Sequence, residues 1–102
     1  MTFYEKISKE FEDYKKELNE QGKNKTNIDI AKIVEDNYYK YFIYTEIIES
    51  VGLSIEDFDL QEENENVNLL PLIYDDFIDY ENGDIYTLRE LIDTYINDYC
   101  VV

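Results

Sequence analysis

Apolar residues recur along most of this chain at intervals of three and four. Phe3, Ile7, Phe11, Tyr14 and Leu18 follow one another 4, 4, 3 and 4 positions apart, which places them on one side of an α-helix. Thr2 and Glu5 make a capping box in front of it, so the spacing predicts a helix over roughly residues 3–19. Residues 20–25, with Gly22, read as a loop. Thr26 or Asn27 caps a second, longer helix, with Asp29 at or near its third position. Its expected buried stripe is Ile30, Ile33, Val34, Tyr41, Ile48 and Val51, ending at Gly52. Asn37 interrupts that stripe, and a break near Asp36-Asn37 is an alternative.

Ser54 with Asp57, and Leu53 with Phe58, form the cap and staple of a short third helix. Residues 59–68 turn polar and lose apolar periodicity, and residues 61–66 within them read as a solvated loop. Leu70, Ile73, Tyr74, Phe77 and Ile78 restore it over residues 69–80, with Pro71 tolerated in the first turn. After Asn82-Gly83, either Asp84 or the box Thr87-x-x-Glu90 opens a last helix with the face Ile85, Leu88, Leu91, Ile92, Tyr95 and Tyr99. A strand over residues 84–88 is the alternative there. The expectation is an all-α fold of about five helices, with residues 1–102 forming a single small domain.

Charge changes this picture by dividing the chain. Residues 1–40 hold nine acids and eight lysines, whereas residues 41–102 hold sixteen acids and one base, Arg89. An AT-rich gene accounts for much Tyr, Asn and Ile, but not for lysine vanishing after Lys40 while acids persist. With 44% hydrophobic residues the chain is too apolar for a disordered acidic tail. No apolar stretch reaches membrane-spanning length, and the first residues lack a signal-peptide pattern. With Cys100 its only cysteine, the chain has no disulfide framework and suits a reducing interior. The expected setting is the cytoplasm of a bacterial host.

Catalytic chemistry finds little to work with. There is no histidine, Ser8, Ser50 and Ser54 have no base beside them, and the three glycines stand apart. Asp79, Glu81 and Glu90 match positions 1, 3 and 12 of a calcium loop, but Asp84 stands where the loop requires glycine. Neither an enzyme nor a metal or other cofactor is expected.

The acids instead form rows. Glu46 and Glu49, Asp76 and Asp79 are three apart, Asp75 and Asp79 are four apart, and Glu90, Asp93 and Asp98 flank the last helix. Like charges at these spacings destabilise a helix, so ordinary surface helices alternate sign. Four residues of helix span about 6 Å, while DNA presents phosphates at a rise of about 3.4 Å per strand with a larger through-space step between neighbours. Carboxylate rows on helices therefore approximate a phosphate row in sign and pitch. Tyrosine adds rigid amphipathic contact area. Of eleven tyrosines, Tyr14, Tyr41 and Tyr95 are assigned to the core, and Tyr38, Tyr39, Tyr44, Tyr80 and Tyr86 to the surface. The candidate partner-binding residues are Glu46, Glu49, Asp57, Asp59, Asp75, Asp76, Asp79, Glu90, Asp93, Asp98, Tyr39, Tyr44, Tyr80 and Tyr86.

Over residues 28–60, the Asp36-Asn37 pair, the aromatic run from Tyr38 to Tyr44, Glu46-Ile47 leading to Gly52, and Glu56-Asp57-Phe58-Asp59 resemble phage antirestriction proteins of the overcome-classical-restriction type. The tyrosine-bearing helix from Ile85 and the overall size agree, and small anti-CRISPR proteins share the profile. The chain differs in its lysine-bearing first helix and in lacking a long acidic tail. The resemblance implies a DNA mimic that blocks a basic DNA- or RNA-binding protein, a defence nuclease, and that forms a homodimer; no direct contact with nucleic acid or membrane is expected. The alternative is an immunity protein or antitoxin capping a basic nuclease toxin.

Overall fold

A computed structural model describes residues 1–52, 57–79 and 85–101, with backbone alone for Ile85 and Tyr86. Among these are four α-helices: α1 (Phe3–Gly22), α2 (Asn27–Gly52), α3 (Leu69–Ile78) and α4 (Ile85–Tyr99), with one 3₁₀ turn at Glu62–Asn64. No strand occurs among the described residues, and the all-α expectation holds. The expected helix at Ser54 falls mostly outside the described residues, but Asp57 and Phe58 are not helical. The alternative strand over residues 84–88 is not formed by residues 85–88, which are helical, and residue 84 lies outside the described residues.

The caps act as their sequence implies. Thr2 Oγ1 accepts from the Glu5 N–H at 3.1 Å. Thr26 Oγ1 accepts from the Asp29 N–H at 3.2 Å and donates to the Asp29 carboxylate at 2.8 Å. The turn between α1 and α2 depends on Asn24, whose φ of 59° lies in the left-handed region that asparagine tolerates. Asn37 does not break α2. Its amide donates to the Ile33 carbonyl at 2.9 Å and its oxygen accepts from the Tyr14 hydroxyl at 3.0 Å, so the polar group is satisfied within the helix pair.

The core gathers at one end of the molecule. Phe3, Ile7 and Phe11 of α1 meet Ile43, Tyr44, Ile47 and Val51 of α2, Leu69, Leu70, Ile73 and Phe77 of α3, and Leu88, Leu91, Ile92, Tyr95 and Ile96 of α4. Leu60 and Cys100 complete it. Glu10 ties α1 to α3: its two carboxylate oxygens accept from the Leu69 and Leu70 N–H groups at 3.2 and 3.3 Å, capping α3 from another helix. Lys6, itself nearly buried, lies 4.0 Å from the same carboxylate.

Phe58, expected in the short third helix, and residues 59–61, expected in a polar stretch, run instead between the two ends of the chain. The Phe3 N–H donates to the Phe58 carbonyl (2.8 Å), Leu60 to Met1 (3.0 Å), Gln61 to Tyr99 (3.0 Å) and Val101 to Asp59 (2.8 Å). This clasp satisfies backbone groups that a helix cannot.

From Glu12 to Phe42 no side chain is buried. The C-terminal half of α1 and the N-terminal half of α2 thus form a hairpin arm reaching beyond the core, and the molecule measures 48 × 31 × 21 Å. Ile30 and Val34, expected in the buried stripe, are 39% and 59% exposed. They sit where α1 alone could cover them, and the apolar stripe of α1 ends at Leu18.

Candidate functional site

Two surfaces of different character result. The first is acidic and lies on the core end. Burial of Leu69, Leu70, Ile73 and Phe77 turns Asp75 and Asp76 of α3, and Asp79 at its C-cap, to solvent. Burial of Leu88, Leu91, Ile92, Tyr95 and Ile96 does the same for Glu90, Asp93 and Asp98 of α4. Glu49, Asp57 and Asp59 are also exposed, and Glu46 is half-buried. The side-chain ion pairs of the described residues, Lys6–Glu10, Lys15–Glu12 and Lys23–Glu20, all lie before residue 40. Beyond it the paired acid among them is Glu65, 3.7 Å from the Met1 amino nitrogen.

The structure joins some of these acids and separates others. Asp76 accepts a hydrogen bond from the Tyr95 hydroxyl, linking α3 to α4. Burial and that bond to a carboxylate both raise the Tyr95 phenol above its ordinary pKa. Asp75 lies toward Tyr44 and Tyr74 and contributes to the upward shifts of both phenols, after burial. Tyr39, 53% exposed, stands with its ring 6.4 Å from that of Tyr74, so Asp75 and Tyr39 belong to one neighbourhood. Asp57 and Asp59 instead belong to the clasp, with Asp98 just before its residues Tyr99 and Cys100. There burial, then Asp57 and Asp59, push the Cys100 thiol up to about 11.

Two tyrosine assignments are corrected. Tyr44, expected at the surface, is 2% exposed: Phe11 and Tyr14 of α1 and Tyr74 of α3 close on it with ring separations of 6.2, 4.9 and 5.7 Å. Tyr41, expected in the core, is 43% exposed: it touches Phe11 at 5.3 Å but sits where the core ends and the arm begins. Tyr80 and Glu81 lie outside the described residues, as does the side chain of Tyr86. Lys40, the last lysine, places its ammonium 5.5, 5.5 and 5.7 Å from the rings of Tyr14, Tyr44 and Tyr74. Among the described residues no group of three potential metal ligands converges, and no helix is long and apolar enough to cross a membrane.

The second surface was missed by the sequence reading. Leu18, Asn19 and Gly22 of α1, Lys23 after it, and Ile30, Ile33, Val34, Asn37, Tyr38 and Tyr41 of α2 line a largely apolar groove of about 550 Å³ along the arm. Tyr38 in its wall is 71% exposed, and Phe42 of the same helix is 50% exposed. The signal available was α2 itself: apolar on all sides over Tyr38–Tyr44, it needs more cover than one partner helix gives. Compared with protein-family models, curated proteins and solved structures, the chain matches none.

Proposed function

We propose that this protein is a non-catalytic inhibitor that occupies the basic DNA-binding groove of a host defence nuclease, a restriction–modification or CRISPR effector, in place of DNA. The observation that carries this reading is the state of the acids beyond residue 40. Asp75, Asp79, Glu90, Asp93 and Asp98 face solvent without a lysine or arginine partner among the described residues. Such acids repel one another within the fold, and a basic groove would relieve that repulsion. Tyr39, beside Asp75, supplies a rigid anchor of the kind enriched at binding hot spots.

The test is an electrophoretic shift of purified restriction and CRISPR effectors on duplex DNA, with this protein titrated in. Release of an effector from DNA, weakening steeply as salt rises, is the expected result. Ternary complexes that keep the DNA bound, or no effect on any effector, would refute it.

A further inference from the structure

Where α1, α2 and the start of α3 meet, a second cavity of about 220 Å³ opens. Glu10, Asp13, Tyr14 and Glu17 line it from one face of α1, and Lys40 and Tyr44, one turn apart, from α2. Tyrosine rings form its walls. Tyr14 and Tyr44 are inclined at 64°, and Tyr44 and Tyr74 at 90°, with centroids 4.9 and 5.7 Å apart. Rings inclined in this way converge on one point, and a cation stands there. The half-buried Lys40 ammonium is 5.5, 5.5 and 5.7 Å from the rings of Tyr14, Tyr44 and Tyr74. All three distances fall within the ~6 Å over which the negative face of a ring attracts a cation.

The carboxylates of this cavity are not used by that ammonium. Glu10 is already taken by the Leu69 and Leu70 N–H groups and by Lys6. Asp13 and Glu17 are exposed, and neither they nor Lys40 form an ion pair among the described residues. We infer that the cavity is a binding site for the guanidinium of an arginine, which Lys40 fills in the free protein and leaves when the arginine enters.

Chemistry selects this occupant. A guanidinium is planar and weakly hydrated, so it stacks on a tyrosine ring while its fork of N–H donors reaches carboxylates at the rim. It would engage the rings and Asp13 or Glu17 together, where the compact, strongly hydrated Lys40 ammonium engages the rings alone. Size agrees: the cavity is smaller than the roughly 300–1,000 Å³ of pockets that enclose a whole small ligand, and suits a side-chain head group. Asp75, whose charge acts on Tyr44 and Tyr74, joins the cavity to the acidic surface. The source of the arginine, a side chain of the basic partner, rests on the function proposed above.

The experiment is an NMR titration of the full chain with N-acetyl-arginine-N-methylamide at low salt. Saturable shifts of the Tyr14, Tyr44 and Tyr74 ring signals are expected. The blocked lysine analogue should bind several-fold more weakly, and blocked citrulline, neutral but of the same shape, should give no shift. Lys40→Met removes the resident cation and keeps most of its stem. It should tighten arginine binding about fivefold, because a filled cavity lowers the apparent affinity by the fraction of molecules in which it is empty. Asp13→Asn with Glu17→Gln, both exposed, should weaken binding about tenfold with the circular dichroism spectrum unchanged. Free arginine should bind no tighter than the blocked form. No saturable shift in wild type or Lys40→Met, citrulline binding as well as arginine, indifference to Lys40→Met or to the paired carboxylate variant, or a preference for free arginine, which marks a metabolite site, would each overturn the inference. No nuclease enters this titration, so its failure leaves the effector assay standing. Arginine bound in the cavity with no effector released from DNA would instead fail the proposed function alone.

Discussion

At the scale of single residues, Glu10 carries two jobs that pull its pKa in opposite directions. It accepts from two N–H groups at the start of α3 and faces Lys6, and both lower its pKa; burial outweighs them, so the carboxyl sits above its ordinary 4.5. Because the folded state holds this proton more tightly than the unfolded chain, its contribution is fully present below 4.5 and is lost as pH rises through the folded value. Melting of Glu10→Gln against the wild type from pH 4 to 7 should therefore show the wild-type advantage shrinking as pH rises across that window. Glu10→Ala removes both acceptors and strands the nearly buried Lys6, at a cost of about 2 kcal/mol, or roughly 10 °C in Tm. Cys100 offers a second measurement. With its thiol buried and raised to about 11, alkylation by iodoacetamide at neutral pH should be slow in the native protein and become fast in denaturant. Rapid labelling without denaturant would mean that the clasp opens.

At the scale of elements, neighbouring acids on one helix differ in what they do. Asp76 holds the Tyr95 hydroxyl, so Asp76→Ala leaves a largely buried phenol without its acceptor and should cost about 1–2 kcal/mol in denaturant melts. Reversing Asp75 and Asp79 together to lysine, or Glu90 with Asp93, touches exposed groups, keeps a like-charge pair at helical spacing and lowers the net negative charge that repels across the fold. Tm should be unchanged or higher in both pairs, while binding to a basic groove should fall by orders of magnitude. If these pairs unfold the protein, the acids support the fold and not a partner. The helices themselves were legible: capping boxes at Thr2 and Thr26, and the 3–4 spacing, fixed α1 and the start of α2 because these are local interactions. The clasp at residues 58–61 was not, since its backbone bonds reach Met1, Phe3, Tyr99 and Val101, and no local pattern announces them.

At the scale of the whole molecule, residues 41–102 carry −15, while the core is formed by the start of α1, the end of α2 and the length of α3 and α4. The Debye length falls from about 30 Å at 0.01 M salt to about 8 Å at 0.15 M, so Tm should rise between 10 and ~300 mM NaCl. A flat or falling curve would mean that the acids stand too far apart to repel.

What the sequence determined by itself was the helical class, the termini of most helices and the division of charge, because capping, periodicity and ionisation are properties of residues and near neighbours. Asn37 belongs to both scales: its amide donates to the Ile33 carbonyl four residues away, while its oxygen needs the Tyr14 hydroxyl of α1. What only the tertiary structure decided was which apolar faces find cover. Tyr44 is buried because α1 and α3 both reach it, and Tyr41, Val34 and Tyr38 are open because α1 is alone beside them. Periodicity says that a face must be covered; the number of helices that arrive there depends on where the chain turns. In this chain α3 and α4 pack at the core end and leave the arm to a single neighbour.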